Sequence, residues 1–223
     1  DEMLERLDYD PEGALYKMYN PMTSGSFSFE KKTREWEDSQ DLIDLVAGCQ
    51  LTGAALEEFL FDNLDIPAVI SYLAATCLMN DNDHISKNYY MYRDSDGDQE
   101  WMFIPWDKDL TLGRNYTMTG GVLNDQMWAN IDPQCHPLFG DINHQKIDYQ
   151  YNRLIDACYR NLRFREMYVR RLWSLMEEQL QPPNTAAGEL KFENMIDVLQ
   201  IQVADEVALD VIKWGSPTWG SYR

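Results

Sequence analysis

The chain predicts an α+β fold, a mainly helical body carrying a small β portion, and three observations carry that reading. Apolar residues recur at helical spacing in five segments between Leu42 and Val207. Asn88–Arg93 and Gln99–Ile104 are rich in Tyr, Met, Trp, Phe and Ile and read as strands. Between them Asp94-Ser-Asp-Gly-Asp98 is a turn cluster with Gly97 available for a positive φ, so the two strands form a hairpin.

The elements follow in order. The turn signal Asp10-Pro-Glu-Gly13 introduces a strand over Ala14–Tyr19, and Met22–Ser28 is a Gly/Ser loop. Asp38-Ser39 opens a helix to about Gly48, and Thr52 opens a short one to about Phe61. Asp65 reads as the N-cap of a helix to Leu78, with Pro67 in its first turn. That helix is apolar nearly all round, so it should be a buried spine feeding the loop before Asn88. Gly113–Gly140 reads as a long irregular stretch, either a surface connection or a segment that meets a substrate. Three helical stripes close the chain: Ile147, Tyr151, Leu154 and Cys158; then Tyr168, Leu172, Leu175 and Gln179; then Phe192, Ile196, Leu199, Val203 and Val207. Pro182-Pro183 breaks the second from the third.

Composition narrows the function classes. Length is ample for one domain with a sizeable core, and seven Trp, thirteen Tyr and eight Phe argue against disorder. A net charge of −19 disfavours nucleic acid and anionic membranes and suits a basic protein partner. No apolar run is long enough to span a membrane. Cys49, Cys77, Cys135 and Cys158 lack metal-ligand spacing; Cys77 and Cys158 fall on apolar helical faces as core thiols, and the disulfide state is open.

The chemistry concentrates in residues 80–109. Asp83 is followed by Asn88, then by the hairpin, then by Asp107 and Asp109. Protein kinases place a catalytic-loop Asp, a metal-holding Asn and a metal-holding Asp in this order, with the same Asp-to-Asn interval. Phosphoryl transfer needs positioning and charge neutralisation, and Mg²⁺ prefers oxygen ligands with only one or two carboxylates. The hairpin would bring Asn88 at its entrance near Asp107 beyond its exit. In extended backbone Asp107 and Asp109 point one way and Lys108 the other, so either both reach the metal or the chain turns after Trp106 and only one does. A calcium loop starting at Asp94 fails, because position twelve is Pro105 rather than Glu.

Asp83-His84 through Asn88-Tyr-Tyr-Met-Tyr92, Ile104-Pro-Trp-Asp-Lys-Asp109 and Gly113 resemble the CotH family of atypical, spore coat protein-like kinases. Gly13-Ala-Leu-Tyr-Lys17, Phe29-Glu-Lys-Lys-Thr33 and Asp210-Val-Ile-Lys-Trp214 resemble further family segments, so the likeness spans most of the chain. The resemblance implies a protein kinase-like fold and transfer of the ATP γ-phosphate to protein serines, with Mg²⁺ or Mn²⁺, at a secreted or cell-surface location or in the cytoplasm. It implies Asp83 as catalytic base and Asn88, Asp107 and Asp109 as metal ligands, Asp107 foremost. Lys17 would meet the ATP phosphates, with Glu30 or Glu35 as its acidic partner. Nothing before Gly13 resembles a glycine-rich strand–turn–strand, so residues 1–37 are expected to be part of a β-rich nucleotide lobe. Residues 38–223 would be the helical lobe, with the catalytic loop at 80–88, the hairpin at 88–105 and the metal segment at 106–113. Two other classes stay open: a catalytically silent extracellular scaffold of kinase-like fold, and a metal-dependent phosphohydrolase using the same carboxylates on water.

Overall fold

The computed structural model describes residues 2–23, 27–112, 115–117, 121–124, 135–146 and 149–214. Its centre is one antiparallel sheet of β1 (Ala14–Met18), β2 (Phe29–Lys31), β3 (Tyr89–Arg93) and β4 (Trp101–Pro105), in the order β2-β1-β3-β4. The expected hairpin is β3 with β4, paired from Tyr89 opposite Pro105 to Arg93 opposite Trp101. The sheet also crosses the expected division at residue 38, because β1 pairs with β3 and sets Lys17 opposite Tyr90. Within the hairpin turn the positive φ falls on Gln99, at 64°, rather than on Gly97. Gly97 is needed for room instead: a Cβ there would strike the Asp94 carboxylate, which accepts the Gly97 amide at 2.9 Å.

Eight helices surround the sheet among the described residues: α1 (Glu2–Arg6), α2 (Gln40–Gly48), α3 (Gly53–Asn63), α4 (Ile66–Leu78), α5 (Arg153–Arg160), α6 (Leu162–Gln179), α7 (Lys191–Gln202) and α8 (Ala204–Trp214). The spine is α4, which starts where the sequence places it. Asp65 accepts the Ala68 amide at 2.9 Å, and Pro67 occupies the first turn. Val69, Leu73 and Ala74 are fully buried, and α4 packs against α6 and β4. Tyr72 stacks on Phe103 of β4 with ring centroids 4.6 Å apart, a geometry that adds about 1 kcal/mol beyond area burial.

Three sequence expectations are corrected. The stripe from Ile147 predicts an early helix; Ile147 lies outside the described residues, and at Tyr151 the chain is not yet helical. α5 starts at Arg153 because Asn152 caps it, accepting the Leu154 and Ile155 amides at 3.0 and 3.2 Å. The stripe from Phe192 to Val207 is broken at Val203 into α7 and α8, and none of the residues of α7 is buried. The stretch from Gly113 holds a small antiparallel pair, β5 (Asn115–Thr117) with β6 (Gly121–Asn124). Gly113 itself and most of the stretch to 134 lie outside the described residues. α1 had no periodic signal; its Leu4 is fully buried, and the following Tyr9 stacks on Tyr92 at 5.3 Å. Cys49, Cys77 and Cys158 are free thiols, with Cys158 fully buried and Cys77 partly so. Among the described residues no helix is long and apolar enough to cross a membrane.

Asn152 ties three parts together. Fully buried, it donates to the Ile85 carbonyl at 3.0 Å and the Tyr89 hydroxyl at 2.8 Å while capping α5. Asn152→Ala strands these groups without partners and should destabilise the protein by about 2–4 kcal/mol in urea unfolding. Asn152→Asp keeps the cap acceptor but turns an acceptor toward a carbonyl. It too should lose stability, which separates the donor role from capping alone.

Candidate active site

The loop after α4 and the segment after β4 are joined along their length. The Trp106 amide donates to the Asn88 carbonyl at 3.2 Å, the Asn82 amide to Leu110 at 3.3 Å and the Leu112 amide to Met79 at 2.7 Å. Lys108 reaches from one to the other, its ammonium 2.9 Å from the Asp81 carboxylate and 3.3 Å from the Tyr72 hydroxyl. The backbone bends sharply to make this fit: Asn80, Asn88, Asp107 and Leu112 hold φ between 45° and 63°. Three of the four are Asn or Asp, the residues that tolerate the left-handed region best after glycine.

Asp83 lies at the middle of the join and is only 2% exposed. The Asn88 side-chain amide donates to its Oδ2 at 2.5 Å, and its own backbone amide donates to Asp81 at 2.8 Å. Its Oδ1 is buried and has no hydrogen-bond partner among the described residues, and the Asn80 amide group shares that state. Burial lifts the Asp83 carboxyl to about 6; Lys146, Lys87 and Lys108 hold it down, while Asp81 pushes it further up. Asp83 therefore ionises near neutrality while keeping substantial basicity, the balance a general base requires.

His84 is buried, with Nδ1 2.8 Å from the Asp81 carbonyl. A carbonyl can only accept, so Nδ1 carries a proton and donates it. Its conjugate acid is pulled down to about 4, chiefly by burial. The ring meets Phe139 edge-on, with centroids 5.7 Å apart.

The remaining candidates are placed as follows. Asn88 and Asp107 sit on either side of the hairpin base, linked through the Trp106–Asn88 hydrogen bond. Asn88 commits its Nδ2 to Asp83, which leaves Oδ1 as its donor for a cation. Asp107 is exposed, and its φ of 52° breaks the extended alternation that would aim it with Asp109. Asp109 is exposed one turn further on. Lys17 rests its ammonium 5.4 Å from the Trp106 ring centre and 5.5 Å from that of Tyr19, one residue from Asp107. Glu30 stands opposite it across the sheet, but that carboxylate is held by Lys32 and the Tyr19 hydroxyl, both at 2.6 Å.

Among the described residues no three His, Cys, Asp or Glu side chains gather into a metal site. An amide oxygen and one exposed carboxylate nevertheless suit Mg²⁺, which takes few protein ligands and completes its shell with phosphate oxygens and water. Sequence reasoning missed two cations around Asp83, the half-buried Lys108 and the buried Lys146. Lys108 left a trace, since it alternates with the flanking carboxylates, but its partner Asp81 was not foreseen. Lys146 left none: it is only 3% exposed and reaches the site from a distant segment. Two clefts open along β4, one of about 670 Å³ bordered by Met3, Leu7, Ile104 and Trp106. The other, of about 550 Å³, is bordered by Tyr72, Met102, Phe103, Asp81 and Lys108.

The sequence model of the CotH kinase protein family matches residues 3–222, and the chain belongs to that family. Membership implies an enzyme that uses ATP and a second substrate. No curated protein matches the chain.

The neutral state of His84 gives the site a pH signature. A folded-state value below the unfolded one contributes stability that is present above about 6.5 and lost as pH falls toward about 4. Asp83, with a raised value, contributes with the opposite sign, so the informative quantity is a difference between proteins. The stability of wild type minus that of His84→Gln should be larger at pH 7.5 than at pH 4.5, by on the order of 2 kcal/mol. Denaturant unfolding at both pH values measures it, and an equal difference at both would show that His84 titrates normally.

Proposed function

We propose that this chain is a protein kinase of kinase-like architecture that moves the ATP γ-phosphate to a serine hydroxyl, with Asp83 as the base. The observation that carries the reading is the Asp83–Asn88 pair. One amide orients the buried carboxylate through Oδ2, leaving Oδ1 to take a proton and the amide oxygen to face a cation. In the reaction Asp83 accepts the hydroxyl proton as the serine oxygen bonds to the γ-phosphorus. The bond to the β-phosphate oxygen breaks, and ADP leaves with that electron pair. Asn88 and Asp107 would hold Mg²⁺ or Mn²⁺, with Asp109 secondary, and the ion would neutralise charge on the phosphates. Lys17, beside Trp106, supplies a compact positive charge for those phosphates. The clefts along β4 offer the apolar walls a purine base buries.

The strongly negative chain favours a basic, serine-rich protein as acceptor, and family likeness suggests a secreted or cell-surface setting. The raised basicity of Asp83, together with its unpartnered Oδ1 beside the Asn88 amide, supports a transferase over a silent scaffold.

Labelled ATP mixed with a basic serine-rich protein tests the reading: label on protein supports a kinase, free phosphate alone a hydrolase, and neither a scaffold. Asp83→Asn should lower turnover by about 10²–10⁴-fold while leaving ATP affinity nearly intact. Wild-type turnover in that variant would remove Asp83 as the base and make Asp81 the candidate.

Asp107→Ala should abolish transfer together with the gain in nucleotide affinity that Mg²⁺ provides over chelator, read by calorimetry. Asp109→Ala should weaken both less. The reverse ranking would move the principal ligand to Asp109.

A further inference from the structure

Two apolar surfaces of this chain face solvent, and they match each other. On the outer side of α6, Leu162, Val169, Trp173, Met176 and Leu180 recur at helical spacing, opposite the buried Phe164, Tyr168 and Leu172. Trp173 is 62% exposed, a large aromatic area to leave in water. The second surface is the arm formed by α7 and α8, where Ile196, Leu199, Val203 and Val207 continue one exposed stripe. The arm is tied down at its base, where the Lys191 amide donates to the Gln181 side chain at 2.9 Å and the Lys191 ammonium to the Glu178 carbonyl.

Their charges are opposite. The first two-thirds of α6 carries Arg163, Arg165, Arg170 and Arg171 against one carboxylate, Glu166. Arg165 and Arg170 border a groove of about 540 Å³ that also takes in Val169, Pro137 and Leu138. The arm carries Glu193, Asp197, Asp205, Glu206 and Asp210 against Lys191 and Lys213. An acidic helix on a chain of net charge −19 is repelled by anionic lipid, which argues against a membrane surface as its occupant.

We infer that the α7–α8 arm docks on the outer face of α6 in a second copy of this chain, the two copies exchanging arms about a two-fold axis. Both complementary surfaces belong to one sequence, so a reciprocal pair closes with each stripe covered and no open end. The carboxylates of the arm then lie beside the arginines of α6, which sets register and orientation more than it adds affinity. The inference is independent of the proposed activity.

Light scattering on the full chain across a wide concentration range should give twice the 26.1 kDa mass of one copy. Leu199→Glu and Trp173→Glu, each at an exposed position, should keep the circular dichroism of the fold. Each should raise the dimer dissociation constant by at least about tenfold. A chain carrying both Trp173→Cys and Leu199→Cys should oxidise to a species of two chains linked through those positions, identified by peptide mass. A single-copy mass at every concentration overturns the inference. So does a cysteine link confined within one chain, which would place the arm on its own α6, and so does unchanged dimerisation in both glutamate variants.

Discussion

One backbone hydrogen bond at the base of a hairpin positions the rest of the site. The Trp106 amide donates to the Asn88 carbonyl, and both Asn88 and the adjacent Asp107 take left-handed backbone on either side of it. That arrangement ends the pairing of β3 and β4 and turns the two exits of the hairpin toward one region. Asn88 then points its amide at Asp83, while Lys108, the next residue but one after Trp106, reaches Asp81. Breaking the hairpin base would separate every group to which a catalytic role is assigned. Family members that keep the residues but lengthen this hairpin base should lose the geometry.

The second constraint is electrostatic. A chain with twice as many acidic as basic side chains buries two carboxylates, Asp81 and Asp83, within three residues of one another. Asp81 is stabilised by the ion pair with Lys108 and by donation from the Asp83 amide. Asp83 accepts one side-chain amide and otherwise feels Lys146, Lys87 and Lys108 at longer range. The asymmetry separates their surroundings: Asp81 is ion-paired with Lys108, while Asp83 is oriented by an amide and left basic by burial.

The helical body serves the site through one residue more than any other. Asn152 caps α5, and from the same side chain it fixes the Ile85 carbonyl in the loop after α4 and Tyr89 at the start of β3. The packing of α4 against α6 and β4 anchors the other end of that loop. Beyond α6 the chain changes character: α7 and α8 bury almost nothing and carry apolar side chains outward. Their periodicity alone reads as core, and burial shows that it is surface.

Local chemistry was enough to read much of this protein. The Asp65 cap with Pro67 and the hairpin around Asp94–Asp98 are short-range signals, set by backbone preference. What sequence could not decide was whatever depends on distant chain segments meeting. The early start expected for α5 yielded to a buried cap whose other partners lie far upstream. Of the extended and turned arrangements left open after Trp106, the left-handed backbone at Asp107 is the turned one. Lys146 beside Asp83, the Asp81–Lys108 pair and the exposure of the last helices all follow from tertiary packing. Burial and electrostatic surroundings are properties of the assembled volume, and no window of sequence contains them.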